Sequence, residues 1–217
     1  MNKQLNKFFI FSSPFIRLWV SLFFFILIHF QLTSQTGPKV INLADVESEK
    51  YKGLDTNGKI KYIDSLYTIS ANITRRNSDS ALIVGYKIKD LSQLLDYTEG
   101  IAKAQETIAR ANVNKGNYED GIALAKETLN YALEIGADEV YLDCINVLGL
   151  AHFLKQELHN VYRYNQMGLK YSKKIGSKQK MYLFSNNAGT ILARIGDYDK
   201  ALEYYNSCLS MLEQNPD

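Results

Sequence analysis

Two histidines in the C-terminal half are the side chains best suited to bind a metal ion. His152 and His159 stand seven residues apart, and imidazole nitrogens are common zinc ligands. No third ligand accompanies them at metal-binding spacing, so a core or turn position is the favoured interpretation of both. We therefore predict no metal site, and no motif for any other cofactor is present.

The only two cysteines, Cys144 and Cys208, could form a disulfide, because an even count in an exported protein often signals one. The repeat described below places them on separate helices. Free, buried thiols that pack as small hydrophobic side chains are therefore the favoured interpretation.

Residue patterns typical of catalysis are missing from the sequence. There is no glycine-rich phosphate loop followed by lysine, no His-Glu-x-x-His and no Gly-x-Ser-x-Gly. The fifteen tyrosines could stack on bases or sugars, but Tyr118, Tyr198 and Tyr205 recur at positions expected in a helical core. We predict a protein that is not an enzyme.

The first thirty-five residues have the composition of a secretory signal peptide. Lys3, Lys7 and Arg17 precede an apolar run at residues 18–30, a short polar stretch follows, and no acidic residue occurs among them. An uncleaved membrane anchor is the alternative, although a span usually needs about twenty apolar residues. We predict a signal peptide at 1–35, a linker at 36–56, no membrane span after the leader, and export to the periplasm or cell envelope.

The net charge argues against nucleic-acid binding. The whole chain carries +2, and subtracting the three leader cations leaves −1. The remaining charges are interspersed along the chain, whereas a nucleic-acid groove needs clustered lysine and arginine.

A repeat of forty residues dominates the rest of the chain. The segment KGNYEDGI at 115–122 recurs as IGDYDKAL at 195–202, and weaker copies stand at the same spacing before and between them. Within a copy, apolar residues fall at helical spacing on both sides of a central turn. We predict an all-α array of four helical hairpins at 57–96, 97–136, 137–176 and 177–217.

Turn residues place the helix ends. Asn117 and Asp197 suit N-caps, and Gly136 and Gly176 stand where a helix end favours a left-handed residue. The predicted helices are 57–74, 79–95, 98–114, 117–135, 138–154, 158–175, 177–194 and 197–213.

This pattern resembles the tetratricopeptide repeat. Gly189, the turn Gly196-Asp197-Tyr198, and then Ala201 and Tyr205 fit its signature of small residues at the helix crossing and an aromatic side chain beyond it. The spacing of forty, longer than the usual repeat, is similar to that in bacterial transcriptional activators and sensor regions. HEAT or armadillo repeats are the alternative fold. The resemblance implies a right-handed superhelix with a concave, partner-binding face.

The first helix of each hairpin would line that face. Its polar and apolar candidates follow one-face spacing along three of these helices: Glu106, Arg110, Asn114, Asn146, Leu150, Phe153, Asn186, Thr190 and Arg194. Asn146 and Asn186 occupy the same repeat position, so their amides could bond a peptide backbone while Arg110 and Arg194 supply positive charge. The alternative is that these side chains are solvated or bridge adjacent helices.

The last helix is expected to leave apolar side chains uncovered. Leu202, Leu209 and Met211 fall outside the set Ala201, Tyr205, Cys208 and Leu212 that would face its partner helix. Either the chain is a fragment of a longer protein, which we favour, or this face docks onto another subunit, including self-association.

Two functions remain open at the level of sequence. The first is an exported scaffold that binds a protein or peptide in the groove. The second is the extracytoplasmic sensory region of a signalling protein, followed by a histidine kinase or a DNA-binding domain, which rests on analogy.

Overall fold

The computed structural model describes residues 49–213, with side chains from residue 51 onwards. The predicted leader and most of the predicted linker lie outside the described residues. A short helical turn at Glu49–Lys52 precedes eight long helices. These are α1 (Thr56–Thr74), α2 (Ser78–Gln93), α3 (Thr98–Lys115), α4 (Tyr118–Glu134), α5 (Asp138–Leu154), α6 (Leu158–Ile175), α7 (Lys178–Arg194) and α8 (Tyr198–Glu213).

The predicted all-α hairpin array is confirmed. Every predicted helix is present, with ends that differ by at most two residues. Each helix packs against the next, α1 also contacts α3, and α3 also contacts α5. We call α1, α3, α5 and α7 the A helices, and α2, α4, α6 and α8 the B helices.

A left-handed residue follows a helix at every twentieth position, which is half the sequence repeat. These residues are Asp96, Gly116, Gly136, Gln156, Gly176 and Gly196, with φ from 50° to 90°. After each of them, the next amide donates to the carbonyl five residues earlier, as from Asn117 N to Asn112 O at 3.0 Å. This is the Schellman hydrogen bond, which satisfies a carbonyl that the helix leaves open. The A helices α3, α5 and α7 therefore end in the same way as the B helices α2, α4 and α6, whereas α1 ends without a left-handed residue.

Gln156 adopts φ 61° with a full side chain, where four of the six left-handed positions have glycine. In this conformation the Cβ of any residue other than glycine lies too close to the following carbonyl oxygen, and glycine avoids this strain because it has no Cβ. We expect Gln156→Gly to raise the free energy of unfolding by roughly 0.5 to 1 kcal/mol. This net gain already allows for the greater conformational entropy of glycine in the unfolded chain, which acts in the opposite direction. Urea denaturation measures the gain. Gln156→Ala is the matched control, and an equal gain in that variant would contradict the explanation by backbone strain.

Two glycines let neighbouring helices approach closely. A Cβ on Gly121 of α4 would lie 2.9 Å from the Ala109 carbonyl oxygen, and one on Gly168 of α6 would lie 2.4 Å from the Phe184 ring. Phe184 is completely buried. Larger side chains at these crossings would separate the helices, as expected from the small-residue pattern in the sequence.

Helix α5 forms the centre of the core. It carries Leu142, Ile145 and Leu148, each at most 1% exposed, and the largest cluster of buried side chains surrounds it. A helix that is apolar on most of its circumference must be covered on most sides. The hairpins before and after it provide that cover.

The two cysteines are free and buried, as predicted. Of the proposed N-caps, Asp197 accepts from the Lys200 amide at 3.4 Å, but Asn117 forms no capping bond and its amide instead donates to Asn112. Asn117 therefore stands at the predicted N-cap position of α4, but its side chain does not cap the helix.

Two predictions for α8 are wrong. Tyr198 is 67% exposed and Leu212 is 53% exposed, although both were expected to be buried. Tyr118, the counterpart of Tyr198 in α4, packs against the core cluster. No helix among residues 49–213 follows α8 to cover the same position, which explains the difference for Tyr198. Leu212 lies at helical spacing from Leu209 and shares its exposed face.

Candidate functional site

A groove of about 1320 Å³ runs across the four A helices. Side chains from α1, α3, α5 and α7 line it, together with Val161 and Asn165 of α6. Each hairpin contributes its A helix to the same side, so the groove follows from the repeat.

Seven of the nine predicted residues line this groove: Glu106, Arg110, Asn114, Asn146, Leu150, Phe153 and Thr190. Asn186 and Arg194 do not belong to the lining, and Asn187 stands there instead of Asn186. One residue corresponds to about 100° of rotation around a helix. The face of α7 that meets the groove is therefore turned relative to the matching face of α5, which the sequence spacing did not reveal.

The groove floor holds a buried ion network centred on Asp143 of α5. The Tyr67 hydroxyl of α1 donates to Asp143 Oδ2 at 3.0 Å, and the Lys180 ammonium of α7 donates to Asp143 Oδ1 at 2.7 Å. Arg110 Nη2 of α3 lies 3.9 Å from the same oxygen. This network connects all four A helices.

Arg110 is paired with the acidic side chains of the groove floor. Its Nε donates to Glu106 Oε1 at 2.8 Å, and its Nη2 contacts the same oxygen. The Glu106 side chain is only 3% exposed. Burial raises the pKa of Glu106 and Asp143 raises it further, while Arg110 opposes both. Arg110 therefore bridges helices, and its charge is already neutralised within the protein.

The unneutralised positive charge of the groove lies elsewhere, at the end of α1. Arg75 and Arg76 are exposed and line the groove, and neither has an ion-pair partner within residues 49–213. Sequence reasoning assigned this segment to a turn and missed both. Four cationic and two acidic side chains line the groove, which leaves an excess of two positive charges.

Arg194 lies outside the lining but close to it. Its guanidinium is 5.1 Å from the centre of the Phe153 ring, and Phe153 itself lines the groove. Stacking on an aromatic face holds an arginine without consuming its hydrogen-bond donors.

The groove amides divide into used and free donors. Asn114 donates to the Thr74 carbonyl at 3.3 Å, and Asn165 donates to the Val161 carbonyl at 3.0 Å. Asn146 and Asn187 are half-buried and make no side-chain hydrogen bond within the described part of the chain. An amide with both a donor and an acceptor can pair with a peptide backbone.

The histidines and cysteines have local roles in packing and hydrogen bonding. His152 Nδ1 lies 2.6 Å from Glu157 Oε2, and its ring stacks on Tyr164, while His159 is exposed. Among residues 49–213, no three His, Cys, Asp or Glu side chains form a cluster that could hold a metal ion. Burial raises the pKa of Cys144, so its reactive thiolate form is disfavoured.

Fold and groove together define a class: an all-α array of helical hairpins whose A helices form a polar, net-positive groove. No protein-family model matches the sequence, and no curated protein is detectably similar to it. None of the described helices is both long enough and apolar enough to cross a membrane.

Proposed function

We propose that this chain is an exported scaffold of the tetratricopeptide type that binds an extended, acidic segment of a partner protein in the A-helix groove. Export to the periplasm or envelope rests on the leader, and the repeat type rests on the residues at the helix crossings. The observation that carries the proposal is the uneven neutralisation of charge in the groove.

The cations of the groove floor have acidic partners within the protein, whereas those at the end of α1 have none among residues 49–213. Arg110 and Lys180 contact Glu106 and Asp143 inside the protein, so they offer little attraction to a ligand. Arg75 and Arg76 have no acidic partner within residues 49–213 and face the groove. An acidic ligand would gain charge-assisted hydrogen bonds there without displacing an existing pair.

The remaining lining suits an extended backbone. Asn146 and Asn187 offer amides that are free within the described residues, and Leu150 and Phe153 add half-buried apolar surface to the same groove. Backbone hydrogen bonds fix an extended peptide, while apolar pockets and charges select its side chains. The amide position that we assign to α7 is Asn187, one residue beyond the position inferred from spacing.

Charge reversal at the end of α1 tests the proposal. We expect a fluorescein-labelled peptide that alternates glutamate with valine to bind the full chain, and its lysine–valine counterpart to bind weakly or not at all. Arg75→Glu with Arg76→Glu should weaken binding of the acidic peptide roughly tenfold, equal to about 1.4 kcal/mol. Fluorescence anisotropy measures both, and added salt should reduce the difference between the peptides.

Lys173→Glu with Lys174→Glu is the matched control. These two adjacent cations are exposed at the end of α6, outside the groove lining, and their reversal changes the net charge by the same amount. If both double variants weakened binding of the acidic peptide equally, the loss of affinity would be due to the overall charge of the protein and not to Arg75 and Arg76. Equal binding of the two peptides by the unmodified chain would refute selection for acidic ligands.

A further inference from the structure

Helix α8 exposes a continuous apolar stripe outside the groove. Tyr198, Leu202, Leu209 and Leu212 are each between 53% and 67% exposed, and the half-buried Tyr205 lies between them. They follow one another at alternating steps of four and three residues, which keeps them on one face of a helix. None of them lines the groove.

The same four positions are covered in the two preceding B helices. In α4 they are Tyr118, Ile122, Leu129 and Ala132, and in α6 they are Leu158, Tyr162, Leu169 and Ser172. All eight are buried or half-buried, because α4 packs against α5 and α6 packs against α7. The occupant of this face inside the array is therefore always the A helix of the next hairpin.

An ion pair accompanies two of these junctions at a fixed position. Asp79 at the start of α2 pairs with Lys115 at the end of α3. Forty residues later, Glu119 at the start of α4 pairs with Lys155, the residue after the end of α5, and its Oε1 lies 2.8 Å from Lys155 Nζ. The acidic residue thus marks where the covering helix ends, which also means that the covering helix runs antiparallel to the B helix.

Asp199 occupies this acidic position in α8. It is exposed and has no partner within residues 49–213. The third junction, between α6 and α7, has His159 and Ile195 in the two positions and lacks the pair. Helix α8 therefore has both features of the covered B helices: the apolar stripe, and at Asp199 the acidic residue that pairs with the end of the covering helix at two junctions.

The charge of α8 argues against a second copy as the occupant. The helix and its cap carry Asp197, Asp199, Glu203 and Glu213 against the single cation Lys200. Two such helices placed face to face would bring acidic side chains together, and juxtaposed like charges disfavour an interface. A helix with a basic C-terminal end would instead complement Asp199 and the helix as a whole.

We propose that this face of α8 docks an amphipathic α-helix of a partner protein, bound antiparallel to α8, with an apolar face over the stripe and a Lys or Arg near its C-terminal end beside Asp199. The proposal is independent of the groove ligand, since the two surfaces share no residue.

A synthetic helix with the sequence of one of the array's own A helices tests the docking face. The probe is a fluorescein-labelled, side-chain-stapled peptide that spans residues 137–155 and ends in Lys155. We expect saturable binding to the full chain by anisotropy, weakened at least tenfold by Leu209→Glu. Ser207→Glu is the matched control, because Ser207 is exposed on the same helix but lies about 180° from the stripe, and it should bind like the unmodified chain.

Charge exchange fixes the orientation. Asp199→Lys should weaken binding of this peptide, and a peptide with Lys155→Glu should restore it, since the two changes recreate the opposite pair. Absence of saturable binding, or equal binding by Leu209→Glu and the unmodified chain, would overturn the proposal. Concentration-dependent dimerisation abolished by Leu209→Glu in analytical ultracentrifugation would also overturn it, by assigning the face to a second copy.

Discussion

Arg110→Met is expected to lower the free energy of unfolding by about 3 kcal/mol at neutral pH. The variant keeps much of the side-chain volume but leaves Glu106, whose side chain is 3% exposed, without its cation. Lys180 cannot substitute, because it is bound to Asp143 on the far side of the network. We place the loss at the lower end of the range for buried pairs because Arg110 itself is partly exposed, at 18%.

The loss should depend on pH in a defined direction. Burial and Asp143 already raise the pKa of Glu106 in the folded protein, and removing Arg110 raises it further. The folded state of the variant therefore prefers the protonated carboxyl, and this preference is lost as the pH rises through the raised pKa. The stability difference between variant and unmodified chain should shrink as the pH falls from about 7 towards about 5, measured by urea denaturation at each pH.

A double variant separates the ion pair from simple packing. Glu106→Leu with Arg110→Met removes both charges, and we expect it to recover most of the stability lost by Arg110→Met alone, as for other buried pairs replaced by apolar side chains. A double variant as unstable as Arg110→Met would place the loss in packing. A pH-independent difference would exclude Glu106 as its source.

Gly121→Ala is expected to destabilise the array by about 2 kcal/mol. The added methyl carbon would lie 2.9 Å from the Ala109 carbonyl oxygen and 3.1 Å from the Val113 amide nitrogen. Both are backbone atoms of α3, so relief requires α4 to move away as a unit. This strain exceeds the gain of up to about 1 kcal/mol that alanine brings to a helix interior.

Gly149→Ala is the matched control for this prediction. It places the same methyl group inside an A helix, where the only neighbour within 4 Å is the Tyr164 Cβ at 3.9 Å. That is ordinary contact, so the higher helix propensity of alanine should appear as equal or slightly greater stability. Urea denaturation of both variants provides the comparison. Similar effects at the two sites would contradict the close crossing of α3 and α4.

The hairpins could be predicted from sequence because their determinants are local or periodic. Apolar residues at helical spacing give the helices, and a forty-residue period repeats them. Small residues such as Gly121 and Gly189 indicated close crossings, and each would place a Cβ within 3 Å of a neighbouring helix. Helix ends followed from glycines at the turns, although Gln156 shows that the same turn forms without one.

The groove floor could be predicted only in part. Glu106 and Arg110 are four residues apart, so their contact is visible in the sequence. Tyr67 and Asp143 are 76 residues apart, and Lys180 is 37 residues from Asp143. Such pairs depend on how successive A helices are rotated, which no spacing rule supplies. The same uncertainty explains why Asn187, and not Asn186, lines the groove.

On α8, Leu202 and Leu209 are exposed as predicted, but the exposure of Tyr198 and Leu212 was mispredicted for a different reason. Tyr198 has the same sequence context as Tyr118, so a repeat pattern assigns both to the core. Burial is a property of the neighbours, however, and Tyr118 lies beneath the hairpin that follows it. A repeat pattern predicts which helix faces are apolar, but not whether a neighbouring helix packs against that face in a given copy.

The twenty-residue spacing of the left-handed turns has a consequence for how such a chain can change in length. Each helix from α2 to α7 occupies twenty residues together with the turn that follows it. Duplicating or deleting one forty-residue unit in this part of the chain therefore leaves the same type of junction on each side of the change. Any other insertion within a helix rotates the downstream side chains by about 100° per residue and separates apolar faces from their partners. Recombination between copies can therefore lengthen or shorten the groove in whole hairpins while each junction stays intact.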